Sequence, residues 1–402
     1  MEGRREFIRD AAILAAGCAA GCRTFDGSSY SVPLLGDIHY DLLPVDTFHS
    51  HYRSLHQGDG LFARYGKEFE SFASMWGRDG ATEAIVRTSG RVRSVDSAFA
   101  LQLGDLVEGD CESAADHVRM LNEAFAFVKG AYGGELPVVT TAGNHDVRQG
   151  KDRLGEYETY RRISSAWHAK ELGVSVSGLT FSFRQGPDLW IVADFNRPDV
   201  DHVAEILSGA EDARYVFFCT HGAVLTDGGR NARRWFFLGA PQYDERGVHR
   251  DPSFFGPAFA KMDGDRRRIR RLLARHRAIA LTGHSHRVEL RDWFGDGGRI
   301  TEFVMNSVTR TIAGAPIPGE LKVIGDRPED FGHCRVKEKA KRDAAIDALY
   351  AEYEPGMRRY FTANGAGHAR IGVSDGSVWI DYFPGAAESP SRRFVLRTET
   401  EK

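Results

Sequence analysis

Seven apolar runs bounded by turn residues punctuate the chain: Val32–Leu35, Ala98–Leu103, Pro137–Thr141, Leu189–Phe195, Tyr215–Cys219, Ala278–Thr282 and Ile300–Asn306. Their length and β-branched or aromatic content predict strands. None shows clean polar alternation, so the sheet they form is expected to be covered on both faces. Helical periodicity fills the gaps. Ala114–Gly130 places Val118, Leu121, Phe125 and Val128 at helical spacing, and Asp265–Arg277 sets Ile269, Leu272 and Leu273 against many arginines. Strands alternating with helices predict an α/β protein, built in layers.

Residues 41–95 and 225–264 interrupt this order. The first carries Phe48, Tyr52, Leu55, Phe62, Tyr65, Phe69 and Trp76, a spacing that predicts helices over the sheet. The second is rich in Gly, Pro, Arg and aromatics and reads as a long functional loop. Residues 311–402 read as a C-terminal extension packing on the domain of residues 30–310. Pro316, Pro318 and Pro328 mark irregular structure, Lys337–Tyr353 a charged helix, and His368–Tyr382 a hairpin turning at Asp375-Gly376.

The first 29 residues read as an address. Arg4-Arg5 precedes Phe7-Ile8 and the weakly apolar run Ala11–Ala20, which resembles a bacterial twin-arginine export signal. The small residues before Cys18 and Cys22 also resemble a lipoprotein attachment box. The expectation is an exported, periplasmic or cell-envelope protein, with a lipid anchor through Cys18 or Cys22 as a variant. No apolar stretch beyond residue 30 is long enough to span a bilayer as a helix.

With 53 basic and 56 acidic residues, the net charge of -3 gives no pull toward nucleic acid or an anionic membrane. The arginines of 265–277 are accordingly read as a solvated helix face. Beyond the signal, Cys111, Cys219 and Cys334 form no disulfide framework, and Cys219 reads as a buried thiol.

Five short segments carry candidate chemistry: Asp37-Ile-His39, Gly104-Asp105, Gly143-Asn144-His145-Asp146, Thr220-His221-Gly222 and Gly283-His284-Ser285-His286. Each follows an apolar run. Asp37 with His39, and His284 with His286, stand two residues apart at a strand end, a spacing that aims both side chains the same way. In α/β sheets the loops after strand C-termini gather at one crevice. Carboxylates, imidazoles and an amide oxygen suit Mn, Fe, Zn or Ni, and the lack of Cys argues against structural zinc. Two such ions can activate water and stabilise attacking and leaving oxygens. Asp105 is the candidate bridge between them. His145, beside Asn144, is placed to protonate a leaving alkoxide, because imidazoles titrate near neutrality. Asp146 reads as an orienting or capping residue.

The ordered set resembles the calcineurin-like metallophosphoesterase superfamily over residues 32–310. That resemblance implies a four-layer sandwich of two mixed β-sheets flanked by helices. It implies Asp37, His39, Asp105 and His286 on a first metal, and Asp105, Asn144, His221 and His284 on a second. It also implies His145 as general acid and a metal-bound hydroxide as nucleophile. The purple acid phosphatases carry Tyr where this chain has Glu108, and the first motif here holds His39. The motifs therefore look closer to the cyclic-nucleotide phosphodiesterase-like branch. The expected partner is a small phosphoester, cleaved by phosphodiesterase or phosphatase action. A nuclease and a metal-binding recognition module without catalysis are the alternatives. His49, His51 and His56 read as surface histidines. Arg230, Arg233, Arg234 and Trp235 read equally as substrate contacts or as an ordinary loop.

Overall fold

Apolar runs become strands of two mixed β-sheets stacked face to face. The structure, a computed structural model, describes residues 29–40, 81–109, 113–147, 156–225, 257–308, 320–331 and 351–398. The segment read as an export signal, with Cys18 and Cys22, lies outside the described residues. So do His49, His51, His56, Arg230, Arg233, Arg234, Trp235, Cys111, Cys334 and nearly all of residues 337–353, where a helix is expected.

The first half of the chain runs β1 (Tyr30–Leu35), α1 (Ala81–Arg91), β2 (Ala100–Gln102), α2 (Ala114–Ala131), β3 (Val138–Thr140), α3 (Tyr157–Leu172), β4 (Phe181–Gln185), β5 (Asp188–Val192), α4 (Val200–Ser208) and β6 (Val216–Cys219). It continues as α5 (Pro257–Arg275), β7 (Ile279–Thr282), β8 (Arg287–Gly295), β9 (Gly298–Val304), β10 (Lys322–Gly325), β11 (Met357–Asn364), β12 (Gly367–Val373), β13 (Ser377–Pro384) and β14 (Arg392–Thr398). Among the described residues one sheet has six strands in the order β14-β13-β12-β1-β2-β3, and the other eight in the order β10-β11-β8-β9-β7-β6-β5-β4. β1, β2 and β3 run parallel, as do β5, β6, β7 and β9.

The missing polar alternation is explained by burial on both faces. Val32 and Leu34 of β1 point into the core between the sheets, with Trp190, Phe217, Ile279, Leu281 and Phe303 from the opposite sheet. Leu35, next in line, joins Leu121, Phe125 and Tyr160 beneath the helices α2 and α3. On the far side Phe218 and Ala280 pack under α4 and α5 with Val203, Ile269 and Leu273. Helices thus cover both outer faces of the sandwich. At its centre Trp190 stacks on Phe217 with ring centroids 3.9 Å apart.

α2 begins where Ser113 accepts a hydrogen bond from the Asp116 amide, and its buried stripe is His117, Met120, Leu121, Ala124, Phe125 and Val128. Val118 therefore sits beside the stripe. In α5, Arg267, Arg268, Arg271 and Arg275 are solvated as expected. Arg266 and Arg270 instead turn inward, Arg266 to Glu352 at 2.7 Å and Arg270 to Asp296 at 2.7 Å.

Several strands carry no apolar run. β8 contains Glu289, Arg291 and Asp292, all buried because each charge is paired inside the sheet. Arg291 bonds Glu289 and Glu302, and Asp292 bonds Arg299 at 2.6 Å. β12 and β13 pair antiparallel on either side of Asp375-Gly376, and β12 hydrogen-bonds to β1. Strands after residue 311 thus enter both sheets. Among the described residues no helix is long and apolar enough to cross a membrane.

His168 of α3 is 1% exposed and accepts a hydrogen bond at Nε2 from the Thr140 amide, 3.0 Å away. Burial alone pushes its pKa down to about 3. The unfolded chain takes up this proton below pH ~6.5 while the folded chain refuses it until far lower. Stability should therefore fall on acidification through this window, by up to about 1.4 kcal/mol per pH unit from this ring. Urea unfolding between pH 7 and 4.5 should show a shallower loss for His168→Gln, which keeps an acceptor for Thr140. Identical slopes would refute the assignment.

Candidate metal centre

Each of the five segments leaves the C-terminal end of a parallel strand. Asp37 and His39 follow β1, Asp105 follows β2, and Asn144 and His145 follow β3. His221 follows β6, with His284 and His286 after β7. The first three strands belong to one sheet and the last two to the other, so the site forms where the two sheets meet. Backbone and side-chain bonds lock that junction. Val308 N and Ser307 Oγ both donate to Asp37 O, His284 N donates to Asp37 Oδ1, and Gly283 N donates to His221 O.

The backbone is bent hard to aim these side chains. His39, Asp105, His284 and His286 all have positive φ, between 49° and 68°. A non-glycine residue there costs about 1–3 kcal/mol, a strain that clusters at functional sites. Gly143 is required for close approach: a Cβ would fall 2.2 Å from Asp105 N and Oδ1.

Two groups converge. Asp37, His39 and His286 offer ligand atoms within 4.8 Å of one another, as do Asp105, His221 and His284. His286 Nε2 lies 3.0 Å from Asp37 Oδ2 in the first group. In the second, His284 Nδ1 lies 2.9 Å from His221 Nε2. One atom faces both groups: Asp105 Oδ2 is 3.2 Å from His221 Nε2 and 3.9 Å from His39 Nε2. The other Asp105 oxygen accepts the His145 amide at 2.8 Å. His221 Nδ1 donates to Leu103 O at 2.7 Å, which turns Nε2 toward Asp105. Phe195 packs its ring 5.3 Å from both His221 and His284.

The electrostatics are those of a cation-seeking cluster. Burial opposes charge on Asp105, but His221 and His145 outweigh it and hold the carboxyl well below the usual range. Burial likewise opposes charge on Asp37, and its bond with His286 overcomes it and lowers the carboxyl. The rings respond in kind. Against burial, Asp105 raises His221 to about 9 and Glu108 raises His39 to about 9. His284, buried and beside His221, is held well below its ordinary value. Asp146 is pushed up to about 7 by burial and then by Asp105. Its oxygens accept Val107 N at 3.1 Å and Gly143 N at 2.8 Å, tying the loop after β2 to the loop after β3.

These residues fit bound metal ions. Asn144 Oδ1 and His39 Nε2 are buried and make no hydrogen bond among the described residues. Two carboxylates, four imidazoles and one amide oxygen form a donor set suited to transition-metal ions.

A sequence profile decides the family. The calcineurin-like phosphoesterase profile matches residues 31–288. The chain belongs to the calcineurin-like phosphoesterase family. All five segments fall inside the matched span, and the two mixed, helix-flanked sheets are the sandwich expected of it. Among solved structures the chain is similar to PhoD at 12% identity, TM-score 0.49, over 93% of this chain and 70% of that one. It is also similar to a dimetal phosphatase from Danio rerio at 10% identity, TM-score 0.45, over 92% of this chain and 99% of that one. No curated protein is matched.

Within this calcineurin-like site, one contact was not anticipated. Glu108 forms a third cluster with His39 and His145. Its Oε2 lies 2.9 Å from His39 Nδ1 and its Oε1 3.4 Å from His145 Nδ1, which also donates to Glu108 O at 2.8 Å. Burial disfavours charge on Glu108, yet His145 and His39 together hold its carboxyl far below the usual range. The sequence signal was its spacing, three residues after Asp105. Phe195 carries no such signal.

Proposed function

We propose that this family member is a dinuclear-metal phosphoesterase acting on a small phosphoester, as a phosphodiesterase or phosphatase. Asp37, His39, Asp105 and His286 hold one ion; Asp105, Asn144, His221 and His284 hold the other. The observation that carries this reading is the Asp105 oxygen facing one imidazole from each converging group, at 3.2 and 3.9 Å. When bound, two such ions supply a strongly positive site that activates water and stabilises the attacking and leaving oxygens.

The protein's own residues do the rest. Leu103 O and Glu108 fix the ring orientations of His221 and His39. Glu108 also holds His145 by Nδ1, through its carbonyl at 2.8 Å, and so turns Nε2 away from itself. A proton leaves Nε2 only from the cationic ring, whose other nitrogen stays on the Glu108 carbonyl, with the Glu108 carboxylate 3.4 Å away. His145 is accordingly the proton donor to the departing oxygen.

A substrate panel tests this reading. Manganese-loaded chain is offered phosphomonoesters, phosphodiesters, nucleotides, phospholipid head groups, sugar phosphates, plasmid and oligonucleotides. Turnover of a small ester supports the proposal. Cleavage confined to plasmid and oligonucleotides would make the chain a nuclease. No hydrolysis with any of Mn, Fe, Zn or Ni would leave a recognition module.

A further inference from the structure

We infer that Gln102, which belongs to no motif, is the positioning residue that registers Asp37 against Asp105. The inference rests on the dinuclear reading above. Gln102 ends β2, is 1% exposed, and pairs in register with Leu35 at the end of β1. Its amide makes three hydrogen bonds. Nε2 donates to Gly36 O at 3.1 Å and to Gly104 O at 2.5 Å, and Oε1 accepts from Gly104 N at 3.2 Å. Gly36 immediately precedes Asp37, and Gly104 immediately precedes Asp105. One side chain therefore joins the roots of the two aspartate loops. Its backbone oxygen reaches the third loop as well, accepting Thr141 N at 2.9 Å.

The need for an amide follows from the turn. Gly104 has a φ of +87°, so the chain leaves the strand ladder there. Buried peptide groups that lose ladder partners must find others. Gln102 supplies both a donor and an acceptor to Gly104 and spends its second N–H on Gly36. Beyond the aspartates, Ile38 N and His39 N both donate to Asp105 O at 2.9 Å. Asp37 and Asp105 are thus pinned from both sides, and Gln102 is the near pin. A carboxylate in its place would face two carbonyl oxygens, and a thioether would satisfy none of the three groups.

The test uses manganese on the full chain, read by calorimetric titration and by the electron paramagnetic resonance of a spin-coupled pair. Gln102→Met should bind manganese ~10–100-fold more weakly, as expected when an orienting partner of a metal ligand is lost, and should lose the coupled signal. Gln102→Glu, of the same shape with at most one donor left, should behave alike and covers the case where the first variant fails to fold. Val139→Ala, a core truncation on the neighbouring strand, serves as the stability control. It should lower the melting temperature of the metal-free chain yet keep two coupled ions. Wild-type affinity and coupling in the Gln102 variants would overturn the inference, as would an equal loss of both in Val139→Ala. A wild-type chain that binds no manganese pair overturns the dinuclear reading itself, an outcome distinct from either.

Discussion

Asp105→Asn should leave a folded chain that no longer holds two ions, with hydrolysis more than ~100-fold below wild type. Loss of an outer partner alone costs ~10–100-fold in metal affinity or activity, and a ligand shared by two ions costs more. The geometry explains why asparagine cannot substitute. One Asp105 oxygen accepts the His145 amide at 2.8 Å, and an asparagine oxygen can keep that bond. The amide nitrogen is then left facing His221 Nε2 and His39 Nε2, where a carboxylate oxygen stood at 3.2 and 3.9 Å. It brings protons and no lone pair to the point where both groups converge. It also removes the negative charge that raises His221. The expected pattern is unchanged circular dichroism with metal content reduced to one ion or fewer. Two ions with wild-type turnover would contradict the bridging role proposed for Asp105.

His145→Gln should behave in the opposite way, with metal content intact and kcat lowered by ~10²–10⁴-fold, the usual contribution of a positioned acid. His145 touches the site through its amide bond to Asp105 and its ring contacts with Glu108 and His39, and is not among the ligands proposed here. The loss should depend on the leaving group. An alkoxide needs a proton as it departs, whereas a nitrophenolate leaves without one. The variant should therefore approach wild type on 4-nitrophenyl esters and fall far behind on alkyl esters of the same phosphoryl group. A uniform loss across both series would instead mean that His145 supports the metals.

The convergence of the five segments was more legible than the strand order. Ligand types at strand-end spacing are a local signal, so Asp37 with His39 and His284 with His286 could be read from the residues alone. Glu108 was visible only as a difference from the purple acid phosphatases. Its contact with His39 and His145 depends on the turn after β2, which is a long-range arrangement. Gln102 looked like one polar residue inside an apolar run, and only the glycine turn at Gly104 gives its amide a purpose. For the fold, parallel strands buried on both faces stood out as apolar runs. β8 did not, because Glu289, Arg291 and Asp292 are buried by mutual pairing that no periodicity records. β4 alternates Phe181 and Phe183 with Ser182 and Arg184 at the sheet edge, a pattern too short to separate from loop.

Metal stoichiometry of the purified chain, measured by elemental analysis after expression with supplemented Mn, Fe, Zn and Ni, decides whether the centre is dinuclear. Two ions per wild-type chain are expected. A folded chain that retains none would contradict that expectation.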